Sequence, residues 1–391
     1  MAGDQLARVA LTVLVYARTA SALLAAVTFV ASVIPLFVGG VTLAGLADRF
    51  PRRTVMMTCD LLRCALVLLM VVPGVPVAAL VALLFMVTLI SAPFTAARSA
   101  LVPDVLDGER YVLGQTVTLT TGQFAQVIGF GVGGAVVGFL GIDTSLVIDA
   151  ATYMLSAVIV RAWVRHRAVP RRDGIPAEGS AAGTAPGGEA AADDGGFWGA
   201  LRIVFGTRAL LLPMFFGWLA AFYNAPEGVA APLAASMRGG AATVGVILAA
   251  QVLGETVGML VVGRLIPPTL RRRLMGPMAI ATCAVLAVFA VRPGLSTAVL
   301  VLAASGTFGG YQAAASAAFV RVVPTRMRGA AFGIAQGGMS LGQGVIMIVA
   351  GATAGDFTPS GVIAVTGAIG AVCAVLVATS WARLPDESQP G

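Results

Sequence analysis

Apolar runs of about twenty residues follow one another along nearly the whole chain, broken by short polar stretches that collect Arg, Asp, Gly and Pro. Roughly twenty apolar residues in a helix, each rising ~1.5 Å, cross a hydrocarbon core about 30 Å thick. Strict apolar–polar alternation is absent, so helices rather than a closed barrel must satisfy the backbone. The pattern predicts twelve spans. Span 1 is Gln5–Ala17, span 2 Ala22–Ala44, span 3 Thr54–Val72, span 4 Val77–Ala97, span 5 Val112–Leu140 and span 6 Ser145–Val164. Span 7 is Ala209–Ala231, span 8 Ala241–Val262, span 9 Leu274–Val291, span 10 Ser296–Val320, span 11 Gly329–Ala354 and span 12 Gly361–Trp381. Span 1 is short: about 13 residues cover roughly 20 Å. It reads as a first helix cut short, through a start assigned too far downstream or a genuine truncation.

The series is interrupted once. Residues 165–199 are rich in Pro, Gly, Ala and acids. Such a composition cannot bury a core, and it predicts a largely disordered linker. The chain divides into a bundle over 1–164, a linker over 165–208 and a second bundle over 209–391. Arg is distributed unevenly between the two sides of these spans. Twenty lie in the linker, the C-terminal tail and the loops after the even-numbered spans, whereas the opposite loops hold three: Arg18, Arg238 and Arg292. The positive-inside rule puts the Arg-rich side, with the linker and the C-terminus, in the cytoplasm.

Composition sharpens this picture. Hydrophobic types make up 58% of the 391 residues and charged types 11%, too few to cover a soluble surface. The net charge of +7 follows from the topology and gives no reason to invoke nucleic acid. All basic residues are Arg, which with the abundance of Ala, Gly and Val suggests a GC-rich bacterial genome and a bacterial inner membrane. Four isolated Cys and one His, His166, offer neither a disulfide framework nor a metal site, and no cofactor is expected. No GxxxxGK[ST] phosphate loop and no nucleophile set point to an enzyme.

The two halves echo each other. At an offset of 213, Gln123, Gly129, Gly131 and Gly138 fall on Gln336, Gly342, Gly344 and Gly351. Four matches at one offset in equivalent spans indicate a parallel repeat. The predicted fold is therefore an all-α integral membrane protein of two pseudo-symmetric six-helix bundles.

After span 2 the chain reads Gly45-Leu46-Ala47-Asp48-Arg49-Phe50-Pro51-Arg52-Arg53. This resembles the signature loop of the major facilitator superfamily, with Pro51 in its second glycine slot; a degraded copy runs from Gly258 to Arg273. Asp60-Leu61-Leu62-Arg63, Val102-Pro103-Asp104, Asp149 to Tyr153 and Val323 to Gly329 are similar to segments of its drug, macrolide and siderophore exporters. The resemblance covers the whole chain. It implies alternating access by a monomer in membrane lipid, moving a small-molecule substrate with protons as the coupling partner. It also implies a conformational latch of Gly45, Asp48, Arg49, Arg52, Arg53, Asp60, Arg63 and Arg328. The Asp48 carboxylate would meet the positive N-terminal end of span 11. The seam between halves would be lined by Gly129, Gly131, Gly133, Gly134, Gly342 and Gly344. Phe130 stands where proton-exchanging exporters often carry Pro, and span 4 lacks their intramembrane Arg except for Arg98 at its end.

Carboxylates inside spans are costly, at roughly 2.5–3.5 kcal/mol each on insertion scales, and mark proton or substrate pathways. Glu255, Glu227, Asp149 and Asp4 are the candidates, with Asp4 and Arg8 spaced to pair across one turn. Pro226 should break span 7 beside Glu227. Asn224, Gln123, Gln126, Gln251 and Gln336, with Tyr16, Tyr311 and Gln312, give a central surface of weakly polar groups. Such a surface suits a hydrophobic or amphipathic substrate better than a sugar or a phosphate. Export by proton antiport is the leading expectation. An importer or facilitator, and a sensor that has lost transport, remain open.

Overall fold

The computed structural model describes residues 2–43, 50–105, 109–164, 197–323 and 328–383, and all regular structure among them is helical. Span 1 is a single helix, Ala2–Thr19. Its eighteen residues, about 27 Å long, exceed the expected Gln5–Ala17. Asp4 lies in the first turn and Arg18 in the last, each placed favourably against the helix dipole. Span 2 is two helices, Ala22–Val30 and Ile34–Thr42. The break falls where Pro35 opens the second helix, because proline has no N–H to continue the first. Arg8 Nη2 donates to the Ser32 carbonyl in that break, at 2.8 Å.

Spans 3 to 6 are Arg52–Met70, Val77–Val105, Glu109–Leu140 and Ile142–Trp163. Span 4 thus runs eight residues past its expected end, and Arg98 lies inside the helix. Residues 165–196 fall outside the described part. Within the expected linker, Phe197–Gly206 is helical; its Leu201 and Val204 pack on Leu210, Met214, Phe319 and Ile334, and this apolar contact gives the segment a reason to order.

Span 7 is broken three times, into Arg208–Trp218, Ala220–Tyr223, Ala225–Gly228 and Ala230–Ser236. Pro226 opens the third piece, as expected. Span 8 is Ala241–Arg264. Span 9, Pro268–Ala284, tightens into a 3-10 turn series at Val285–Val291. Span 10 is Leu295–Gly309 and Tyr311–Val322, span 11 Arg328–Thr353 and span 12 Pro359–Ala382.

Among the described residues, nine segments are long and apolar enough to cross a membrane. Span 1 misses that criterion through Asp4, Arg8 and Arg18, span 2 through its break, and span 3 through Arg53, Asp60 and Arg63.

The helices form two six-helix bundles. In the first, span 3 packs on spans 4 and 6, and span 1 on spans 5 and 6. In the second, span 8 packs on span 10, span 9 on span 12 and span 7 on span 10. Glycine permits the closest of these approaches. A Cβ at Gly254 or Gly258 would lie 2.1 Å from the Ala303 or Thr307 carbonyl of span 10, so helix backbones touch where no side chain intervenes. The bundles meet along two seams, span 5 on span 8 and span 2 on span 11, and span 1 also reaches spans 7 and 8.

Candidate functional site

The first bundle gathers charge in its interior. Arg63 Nη2 reaches Asp4 Oδ1 at 2.8 Å and Nη1 reaches Asp60 Oδ1 at 3.6 Å. The Tyr153 hydroxyl donates to the same Asp4 oxygen at 2.5 Å, and Arg63 Nη2 lies 3.0 Å from that hydroxyl. The guanidinium carbon sits 4.2 Å from the Tyr153 ring centroid and 5.7 Å from that of Phe94. The charge is therefore held by two carboxylates and two aromatic rings, a combination that suits a desolvated Arg. Arg98 of span 4 and Arg8 of span 1 also lie within electrostatic reach of Asp4.

Asp149 completes the cluster from span 6. It is fully buried. Thr152 Oγ1 reaches its Oδ1 only at 3.5 Å, and its Oδ2 has no hydrogen-bond partner. Gly3 leaves it room: a Cβ there would fall 2.1 Å from Asp149 Oδ1. Asp60 Oδ2 is likewise buried without a hydrogen bond. Asp4 is the member with access, its side chain 29% exposed against 4% for Arg63.

Asp4, Asp60, Arg63 and Asp149, expected in different roles, thus form one group. Arg8 donates to the freed Ser32 carbonyl and lies within electrostatic reach of Asp4. Arg52 donates to the Ala100 carbonyl of span 4, and Arg53 Nη2 to the Arg161 carbonyl of span 6 at 2.6 Å. Both satisfy backbone near the C-terminal ends of neighbouring helices, where a cation is favoured. Gly45, Asp48 and Arg49 lie outside the described residues. Arg328 begins the span 11 helix.

A second polar group occupies the second bundle. Gln251 Nε2 donates to Asn224 Oδ1 at 2.6 Å and to the Tyr223 carbonyl at 3.1 Å. It thereby ties span 8 to the break in span 7, satisfying a carbonyl the break exposes. Gln312 Nε2 donates to the Tyr223 hydroxyl at 2.8 Å, and Tyr311 to the Phe216 carbonyl at 2.8 Å. Glu255 is half-buried beside Gly309, whose added Cβ would lie 3.7 Å from its Cγ and 3.6 Å from Tyr223 Oη. Glu227 lies within electrostatic reach of both Glu255 and, across the bundle boundary, Arg8. Gln123 and Gln126 are half-buried on span 5, as Tyr16 is on span 1.

The seam glycines divide by what they face. Gly131 and Gly134 meet Ala249 and Gly245 of span 8, and Gly344 meets Val30 and Ile34 of span 2, so these three sit between bundles. Gly133 meets Leu6 and Gly342 meets Ala221, each within its own bundle. Gly129 is buried. The inter-bundle contacts crowd toward the Arg-poor ends of the spans, where Gly351 also abuts Ala22 and Ala26. Among the described residues, a Cβ at Gly40, Gly263 or Gly333, toward the Arg-rich ends, would meet nothing within 4 Å.

A third feature had no signature in the sequence. Trp218 donates Nε1 to the Ala335 carbonyl of span 11 at 2.9 Å and borders a cavity between spans 7, 10 and 11. Of the expected residues, Gln336 and Gln312 line it.

Two helical bundles joined along glycine-lined seams, with polar groups buried in each, are the architecture of a multi-pass membrane transporter. The chain belongs to the Major Facilitator Superfamily, whose model matches residues 1–230 and again 228–391. No curated protein matches it significantly. Among solved structures, a bacterial homolog of the human lysosomal transporter Spinster, inward-facing and unoccupied, superposes with a TM-score of 0.68. It is 14% identical, over 98% of this chain and 95% of that one. The nucleoside transporter NupG gives a TM-score of 0.68 at 14% identity, over 97% and 96% of the two chains. Such distant similarity speaks for the fold alone.

Proposed function

We propose that the protein exports a hydrophobic or amphipathic small molecule from the cytoplasm of a bacterium, as a monomer, in exchange for protons. The observation that carries this reading is the cluster of Asp4, Asp60 and Asp149 around Arg63, with one Asp149 oxygen left without a partner. Carboxylates inside a membrane bundle mark proton relays, since protonation removes the charge that the bundle does not fully compensate. Asp4 is the entry point of the group, because it alone joins partial exposure to a direct ion pair. Glu255, with Glu227, is the second candidate carrier. One proton entering down 100 mV and one pH unit releases about 3.7 kcal/mol, enough for a substrate gradient on the order of several hundredfold.

The bundles are tight at the Arg-poor ends, which supports a state open toward the Arg-rich side. With the linker and C-terminus cytoplasmic, that side is the cytoplasm. Asp48 would then latch onto the start of span 11 when the transporter turns outward, with Arg52 and Arg53 holding the ends of spans 4 and 6 in place.

The test is flux of a fluorescent amphipathic dye in proteoliposomes, with pH and voltage gradients imposed separately. A pH gradient should drive accumulation by the native protein, and Asp149→Asn should abolish the pH-driven part while leaving downhill exchange. Glu255→Gln distinguishes the second carrier in the same way. Accumulation that ignores the pH gradient in all three proteins rules out proton coupling.

A further inference from the structure

We propose that the cavity between spans 7, 10 and 11 is a binding site for an uncharged aromatic ring. The proposal rests on the reading of the chain as a transporter of apolar or amphipathic molecules and names the part of the substrate that the second bundle takes. Its test measures binding alone, so a failure of proton coupling leaves it standing.

The cavity measures about 110 Å³. An enclosed apolar cavity of about 150 Å³ takes one benzene molecule; the space here is smaller but open on one side, so it takes one ring inserted from the mouth with its substituents left outside. Its walls are aromatic. Trp218 stands on one side, and Phe319 and Phe332 contribute an edge-to-face pair with centroids 5.4 Å apart at 87°. Ring faces and edges of this kind select planar aromatic groups over branched aliphatic ones.

The Trp218 wall is fixed before any ligand arrives. Its indole N–H is bonded to Ala335, its ring meets Phe215 edge-on at 5.4 Å, and Gly338 lets it press against the span 11 backbone. A Cβ at Gly338 would lie 2.1 Å from the indole Cζ2. A wall already immobilised spends little of the binding free energy on ordering. Two of the lining residues, Met214 and Phe319, belong to a buried apolar cluster with Leu210, Val323, Ile334 and Val204 of the Phe197–Gly206 helix, so that wall is backed by packed side chains.

The chemistry of the lining selects against charge. Among the described residues no Arg, Asp or Glu lines the cavity, and its polar groups are the amides of Gln312 and Gln336 and the hydroxyl of Ser316. Gln312 spends its Nε2 on Gly217 and Tyr223, which leaves its carbonyl oxygen as an acceptor. Gln336 and Ser316 are exposed at the mouth. A ring carrying an amide or hydroxyl matches these groups. A carboxylate or ammonium would lose hydration and meet no counter-charge.

The experiment uses 4-bromobenzamide, whose bromine quenches indole fluorescence on contact, with the full-length protein in detergent. Subtracting the Trp218→Phe signal isolates Trp218 from the other three Trp. The expected result is saturable quenching of Trp218, at least tenfold weaker for 4-bromobenzoate, which has the same ring with a negative charge. Ser316→Phe, which fills the mouth, should weaken it at least tenfold. Gln336→Leu, at an exposed position and so safe for folding, should weaken it about fivefold. Quenching that rises linearly without saturation, or that is unchanged by both variants, overturns the proposal. So does quenching by a lipid with brominated acyl chains that 4-bromobenzamide fails to displace, which would assign the cavity to a lipid chain.

Discussion

Asp4 and Arg63 meet at 2.8 Å although fifty-nine positions separate them in the chain. The pair joins spans 1 and 3 inside the first bundle, and Tyr153 of span 6 closes over it. Three helices therefore share one buried cation. A pair of this kind is costly to break, since removing the guanidinium leaves buried carboxylates uncompensated.

Replacing Arg63 tests that dependence. Arg63→Gln should destabilise the protein by about 3–5 kcal/mol, read as a lower thermal unfolding midpoint in detergent. Arg63→Lys keeps the charge but is compact, so it cannot serve Asp4 and Asp60 together while lying over the Tyr153 ring. It should fall between the two. Native-like unfolding of Arg63→Gln would show that the cluster contributes nothing to stability.

Gln251 gives a second, independent test in the other bundle. Gln251→Leu removes the donor to the Tyr223 carbonyl at the break in span 7. An unpaired carbonyl away from water costs about 1–3 kcal/mol. The loss should appear in thermal unfolding, and Asn224→Ala should cost less because the backbone bond survives. Equal losses from both would place the stabilisation in the side-chain bond instead.

Most of the fold could be read in the chain because membrane helices carry their signal locally, in runs of apolar residues. The signal failed where a helix continued through polar residues. Span 1 absorbs Asp4 and Arg18 at its ends, and span 4 runs past Arg98 to Val105. The site was legible only in part. Asp4, Asp60, Arg63 and Asp149 each stood out as a charge in an apolar run, but their convergence depends on how spans 1, 3 and 6 pack, and no local pattern encodes that. From sequence alone Asp60 and Arg63 read as members of the conformational latch, with no sign that they share a group with Asp4 and Asp149. The aromatic cavity was invisible for the opposite reason. Trp218, Phe319 and Phe332 look like any apolar residues facing lipid or core, and only their arrangement around empty space distinguishes them.

The left-handed residues offer a stabilising prediction. Ala20 has φ 50°, Arg238 58° and Arg292 50°, each just after the end of span 1, 7 or 9. A Cβ is disfavoured in that region, and glycine is the usual residue there. Ala20→Gly should raise stability by about 0.5–1 kcal/mol, seen as a higher unfolding midpoint. A lowered midpoint would mean that the extra freedom of glycine in the unfolded chain outweighs the relief.

The seam between spans 5 and 8 yields the sharpest conformational prediction, because two glycines one turn apart differ in what they touch. A Cβ at Gly134 would sit 2.5 Å from the Gly245 Cα and 2.9 Å from the Ala241 carbonyl, all backbone that cannot step aside. A Cβ at Gly138 would meet Ala242 at 3.5 Å, an ordinary contact. Gly134→Ala should therefore pry the Arg-poor ends of the bundles apart, whereas Gly138→Ala should leave them closed. The change is small in mass but acts on a packed interface that has no continuous way to yield. Spin labels at Phe139 and Arg238, both exposed near those ends, report the separation by pulsed distance measurement. Gly134→Ala should shift the distribution toward longer distances and deplete the shortest population, and Gly138→Ala should overlay the native trace. Identical distributions for both variants would mean that the seam accommodates the added methyl by sliding, and that Gly134 does not set the balance between states.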